Sequence, residues 1–251
     1  MDTVQITPPW GYKQIVPLLK THRVALVESG MAPPFSVNLH AVPLGASELA
    51  FALRDYPIVF QRRKHDGAFE AMAILGIQEG QNLFVMPDGR WDRRTYIPAY
   101  IRRYPFCVHI VSGEAGRDER LIYVDPHALT DKGARLFDET GAPMPHWVVI
   151  DRLLNEYEDE LARVNRLGAT LHRLGVLTSF SLHADLYNGF SLSLNNMYRV
   201  DRGMLAALEA QPLRELIAQA DMDLVYAHLL SQENFLRLMN RRSFFAPRAA
   251  A

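Results

Sequence analysis

The stretch Trp147–Leu174 reads WVVIDRLLNEYEDELARVNRLGATLHRL, and within it Ile150, Leu154, Tyr157, Leu161, Val164, Gly168 and Leu171 recur at alternating spacings of four and three. That period places one side chain per turn on a single stripe and predicts a long amphipathic helix. The stripe has two readings. It lies on a sheet of the same chain, or, as a seam of about three heptads, it pairs with a second copy in a dimerising coiled coil.

Upstream of this helix the pattern is strand-like. Short apolar or alternating runs at 22–28, 36–44, 56–61, 69–75, 83–86, 106–111 and 121–124 are separated by turn residues such as Asp88-Gly89. Ser47 can cap a short helix that ends before Pro57, and 99–104 predicts one or two helical turns halted by Pro105. Downstream, 189–200 returns to strand character, and helices are expected at 202–209, 213–220 and 223–240. Strands first and helices later predict an α+β fold: a mainly antiparallel N-terminal sheet region, the long helix, a short strand pair and C-terminal helices. A single domain over 1–251 is expected. The turn-rich 125–146, with Pro126, Gly133, Gly141, Pro143 and Pro145, is the candidate subdomain hinge.

Composition narrows the function classes. Hydrophobic residues make up 49% and charged residues 22%, which is enough apolar material for a packed core. Lys+Arg 27 against Asp+Glu 28 leaves a net charge of −1, so no global field collects nucleic acid or anionic lipid. The single cysteine, Cys107, excludes an internal disulfide and suits a reducing compartment. The first residues do not read as a signal peptide and no apolar run is long enough to cross a bilayer, so a cytoplasmic location without membrane insertion is expected. Gly76 and Gly80 lack the Lys and Ser or Thr of a phosphate-binding loop, and no closely spaced cysteine pair suggests zinc.

Several segments share a resemblance. They are Tyr56-Pro57-Ile58-Val59-Phe60, Asn82-Leu83-Phe84-Val85 with Asp88-Gly89-Arg90-Trp91, and the long run from Tyr96-Ile97-Pro98-Ala99-Tyr100-Ile101 through Arg102-Arg103-Tyr104-Pro105-Phe106. Further on come 134–141, Met197-Tyr198-Arg199-Val200-Asp201 and Tyr226-Ala227-His228-Leu229-Leu230-Ser231. In order and spacing they resemble the bacterial SapC family over nearly the whole chain. The resemblance implies an association with surface-layer gene clusters and with neighbours that encode outer-membrane receptors or halogenase-like enzymes, and it implies no particular activity. His183 and Asp185 depart from the family pattern.

Three constellations could carry chemistry. In the run from Trp91 to Phe106, Trp91, Tyr96, Tyr100, Arg102 and Arg103 form the candidate ligand-binding set, because guanidinium groups fork onto carboxylate or phosphate and stack on rings. The expected partner is a peptide-like or anionic small ligand, or a partner protein. The competing reading is that the rings are core and the arginines cover them with their stems. His183, Asp185 and His228 satisfy in outline the two-His, one-carboxylate triad of an iron, 2-oxoglutarate-type oxygenase, with iron as the alternative cofactor where none is otherwise implied. Cys107 and His109 alternate on one strand face and could pair as thiolate and imidazole, although their apolar neighbours favour a buried, inert thiol. The leading expectation is a non-catalytic binding or accessory protein linked to envelope, surface-layer or outer-membrane uptake functions. The alternatives are the iron oxygenase and a dimeric structural interaction protein.

Overall fold

The computed structural model describes residues 7–64, 66–112, 118–185 and 191–245. Strands dominate the first half: β1 Val16–Pro17, β2 Arg23–Val24, β3 Ala41–Pro43, β4 Ile58–Arg62, β5 Phe69–Ile74, β6 Phe106–Ser112, β7 Asp118–Val124 and β8 Ala134–Arg135, interrupted by one-turn helices α1 Leu49–Ala52 and α2 Ala99–Arg102. The long helix α3 runs Pro145–Arg173. It leads into the strand pair β9 Leu177–Asp185 and β10 Ser191–Val200, and the chain finishes in α4 Arg202–Ala206, α5 Ala210–Ala218, α6 Asp221–Ser231 and α7 Asn234–Phe245. The fold is α+β. No described helix is long and apolar enough to cross a membrane.

Every strand pairing among the described residues is antiparallel. The largest sheet has five strands in the order β3-β5-β4-β10-β9, a second has the order β1-β7-β6, and β2 pairs with β8. β5 reads as a nearly continuous apolar run because it is central, with β3 on one side and β4 on the other. Its alternation still sorts side chains by face: Phe69, Ala71 and Ala73 on one, Glu70, Met72 and Ile74 on the other.

Helix α3 is the element that joins the molecule. Toward its C-terminal end Val164, Leu167 and Leu171 enter the main core around the five-stranded sheet. At its other end Trp147 and Leu154 complete a second core with Val24, Phe106, Val124, Ala128 and Leu136. The close approach to the sheet occurs at Gly168, where an added Cβ would sit 2.7 Å from Phe69 Cβ and 2.8 Å from its carbonyl oxygen. Only glycine lets the helix backbone come that near. The heptad-like stripe is therefore spent inside this chain: Leu154, Tyr157, Val164, Gly168 and Leu171 are all buried.

Local readings differ from the structure where side chains or turns compete with strand pairing. The run at 36–44 is opened by Pro33-Pro34 into a 3-10 turn, Pro34–Asn38, so only Ala41–Pro43 pairs as strand. The run at 83–86 makes a single bridge, Val85 to Trp91, because the Asp88-Gly89 turn follows too soon for a ladder. The expected short strand pair is instead nine and ten residues long. The helix expected over 223–240 breaks between α6 and α7, where the Gln232 and Asn234 side chains turn to bond the carbonyls of Ile58, Leu53 and Tyr56.

Candidate functional site

The arginine and aromatic run divides sharply by side-chain direction. Trp91 is 1% exposed, stacks on Phe84 and donates its indole N–H to the Tyr56 hydroxyl at 3.2 Å. That hydroxyl in turn donates to the Tyr96 carbonyl. Tyr96 donates its own hydroxyl to Glu48 at 2.9 Å, and the same buried carboxylate accepts from the Ala99 amide at 2.6 Å and the Gly45 amide at 2.8 Å. Burial holds the Glu48 carboxyl above its ordinary range, opposed by these bonds and by Arg102.

Arg102 and Arg103 are adjacent on one helical turn and so point about 100° apart. Arg102 is exposed; its guanidinium lies over the Tyr96 ring, donating to the Ile97 carbonyl and the Tyr96 hydroxyl, both at 3.0 Å. Arg103 is 4% exposed, with its guanidinium 4.4 Å from the Tyr100 ring centre and 5.2 Å from that of Tyr157, and it donates to Glu158 at 3.2 Å. Burial raises the Glu158 carboxyl and Arg103 pulls it back down. Trp91 and Arg103 are thus packed within the fold, Tyr96 and Arg102 form a stacked pair at its surface, and Tyr100 is the member that reaches a large open space.

That space is a cleft of about 1380 Å³ over the face of the five-stranded sheet that carries Glu70, Met72 and Ile74. Met72 and Ile74 close its floor. The β4–β5 hairpin contributes Gln61, Arg62, Arg63, Lys64, Asp66 and Glu70, and β10, which pairs with β4 at Gln61 and Phe60, adjoins it with Ser193 to Tyr198. Trp10, His40, Glu79 and Tyr100 close the far end. Tyr100 donates its hydroxyl to the Trp10 carbonyl at 2.5 Å, and Trp10 meets the His40 ring edge-on at 5.2 Å. Burial pushes the Tyr100 hydroxyl up to about 12, so it works as a neutral donor, and burial lowers His40, which favours its neutral form.

β10 is irregular where it lines the cleft. Its register on β9 shifts between Leu194 and Met197, so Asn195 and Asn196 stand opposite one residue, and Asn196 takes a left-handed φ of 59°. This is a β-bulge, a device that re-aims a strand beside a site. Beyond the bulge β10 leaves β4, which among the described residues pairs with it only at Met197 and Tyr198.

The triad proposed from His183, Asp185 and His228 is not supported. His228 is fully buried on α6. Its Nε2 accepts from the Val200 amide at 3.1 Å and its Nδ1 donates to the Ile58 carbonyl at 2.9 Å, so both ring nitrogens are engaged by backbone. Burial drops it to about 4, keeping it neutral in that role. His183 is exposed on β9, and the Asp185 side chain lies outside the described residues. Among the described residues no three His, Cys, Asp or Glu side chains are grouped to hold a metal. Cys107 is buried and burial pushes its thiol up to about 11, against thiolate chemistry.

Sequence reasoning missed the cleft because its parts carry no shared motif. Trp10, His40, the 61–64 turn and the 193–196 bulge come from four separate segments. The Asn195-Asn196 pair is the one local signal, since Asn tolerates a left-handed backbone better than most residues.

Fold and site together define an α+β chain with a ligand-sized cleft over an antiparallel sheet. The chain belongs to the SapC family, whose family model matches residues 19–238. No curated protein and no solved structure matches it.

Proposed function

We propose that the protein is a non-catalytic binding or accessory protein that holds a peptide-like or anionic ligand in the cleft over β5. The observation that carries this reading is the cleft itself: about 1380 Å³, floored by apolar side chains and rimmed by Trp10, Tyr100, Gln61, Arg62 and Asn195. An apolar base with a few convergent polar groups is the usual composition of a small-ligand site. The Arg102 and Tyr96 pair stays outside that cleft, and Tyr100 is the contribution of the Trp91–Phe106 run to it. A link to envelope or uptake functions accords with the family to which the chain belongs, and the lone buried Cys107 suits work in a reducing cytoplasm.

The test is protein-observed NMR with a panel of short peptides and small carboxylates. Binding is expected to shift resonances of Trp10, Gln61 and Asn195, and Ser193→Trp, which fills the cleft from an exposed position, should abolish those shifts while the fold persists. Shifts confined to Arg102 and Tyr96, or none with any probe, would overturn the assignment.

A further inference from the structure

The five-stranded sheet ends differently on its two sides. On one side β3 is three residues long and closes on Pro43, a short edge with a residue that cannot extend a ladder. On the other side β9 is nine residues long, and from Leu177 to Ala184 it carries no Lys, Arg, Asp, Glu, Pro or Gly. The charges, prolines and glycines that keep one strand edge from finding another are missing along it.

The register tells which groups that edge offers. The Asp201 amide donates to the Val176 carbonyl, and Val200 stands opposite Leu177. Bonded and unbonded positions alternate along an antiparallel strand, so Val176, Thr178, Phe180 and Leu182 turn their backbone groups toward β10, while Leu177, Ser179, Ser181 and His183 turn theirs outward. Among the described residues those outward N–H and C=O groups meet no backbone partner. Ser179, Ser181 and His183 are exposed. Phe180 meets Phe235 edge-on at 6.1 Å and is still only half-buried, as is Leu182.

This pattern is complementary to itself. We infer that the protein forms a two-fold dimer in which β9 pairs antiparallel with β9 of a second copy, joining the two five-stranded sheets into one. With the axis at Phe180, Ser179 of one copy stands opposite Ser181 of the other and Leu177 opposite His183, so every outward residue falls in a bonded pair. The two Phe180 rings meet on the closely spaced unbonded pair at the axis, and Thr178 covers Leu182 beside them. Pairing uses up both edges, so assembly stops at two. Contact along one strand is small beside the about 1,200–2,000 Å² of a permanent interface, which makes the dimer reversible. No described residue of β9 lines the cleft, so the inference is independent of the ligand reading.

The experiment is sedimentation velocity on the full chain over about a hundredfold range of concentration, since a reversible dimer dissociates on dilution. The parent should pass from monomer to dimer across that range. In Ser179→Lys/Ser181→Lys the pairing sets lysine opposite lysine twice, and dimerisation should weaken at least about tenfold. In Ser179→Lys/Ser181→Glu the same pairing sets lysine opposite glutamate twice, and the dimer should return to at least parental strength. Both variants change only exposed side chains, and their circular dichroism and Tm should match the parent. Ser181→Pro removes an outward N–H, leaves the ladder to β10 intact and should be monomeric. A parent that stays monomeric throughout overturns the inference. So does a dimer that the lysine pair leaves intact or that the lysine and glutamate pair fails to restore.

Discussion

Replacing Arg103 by alanine removes a buried cation that three groups hold in place: the Tyr100 and Tyr157 rings on its flat surfaces and the Glu158 carboxylate 3.2 Å from its Nη1. Arg103 and Glu158 side chains are 4% and 14% exposed, so the variant leaves a largely desolvated carboxylate with its main partner gone. Breaking one side of a buried pair costs about 3–5 kcal/mol, far more than the pair itself is worth against an apolar substitute. For a chain of this size each kcal/mol shifts Tm by roughly 2–4 °C, so a fall of roughly 10 °C is expected. Equilibrium urea unfolding followed by circular dichroism reads it directly. Arg102→Ala is the internal control: it deletes an exposed stacked contact and should cost less than about 1 kcal/mol. Adding Glu158→Leu to Arg103→Ala should recover part of the loss, because the stranded charge is then gone. An Arg103→Ala variant within about 1 kcal/mol of the parent, or an Arg102→Ala variant that is the worse of the two, would refute the assignment of Arg103 to the fold.

His228 is held at about 4 in the fold against an ordinary 6.5, so below pH 6.5 the unfolded chain binds the extra proton and stability is lost down to about pH 4, by roughly 3 kcal/mol in all. His228→Gln should be less stable at neutral pH yet lose less on acidification over that window, as measured by Tm against pH. Gly168→Ala drives a methyl into Phe69 Cβ and the Phe69 carbonyl, and calorimetry should register about 1–3 kcal/mol of destabilisation, in spite of alanine's better helix propensity. Cys107, buried with its thiol raised to about 11, should resist a disulfide reagent at neutral pH and react promptly once urea unfolds the chain; rapid labelling of the native protein would contradict its burial.

The elements most legible in the sequence are those whose own period decides them. Helix α3 needs only its four-and-three spacing, and β4 and β5 need only their short apolar runs between turns. What could not be read depends on who stands opposite. β9 carries Ser179, Ser181, His183 and Asp185 among its apolar residues, and it is strand because β10 pairs with it along most of its length. Arg102 and Arg103 are identical in composition and adjacent in the chain, and only the packing of Tyr100 and Tyr157 decides which is buried. His228 illustrates the converse error: a histidine with two carboxylate-and-histidine companions in sequence resembles a metal ligand until both its nitrogens are found on backbone.

The segments that carry the family resemblance meet in space. Tyr56 bonds Trp91 and Tyr96, Ile58 bonds His228 and Ser231, and Val200 bonds His228. Their shared task is to wire β4 to the helices and loops around it. The cleft shares Tyr100, Met197 and Tyr198 with these segments and takes the rest of its lining from other positions, so the signature speaks mainly for the fold.

Because α3 lies across both cores, neither half of the chain owns a finished interior. A break in the exposed turn at 139–142 would separate a piece holding β1 through β8 from one holding α3, β9, β10 and the C-terminal helices. Each would carry an open apolar surface that the other is shaped to cover. Such halves should be insoluble when made singly and soluble when made together, which makes this molecule a natural candidate for splitting into a pair of fragments that report on their own encounter.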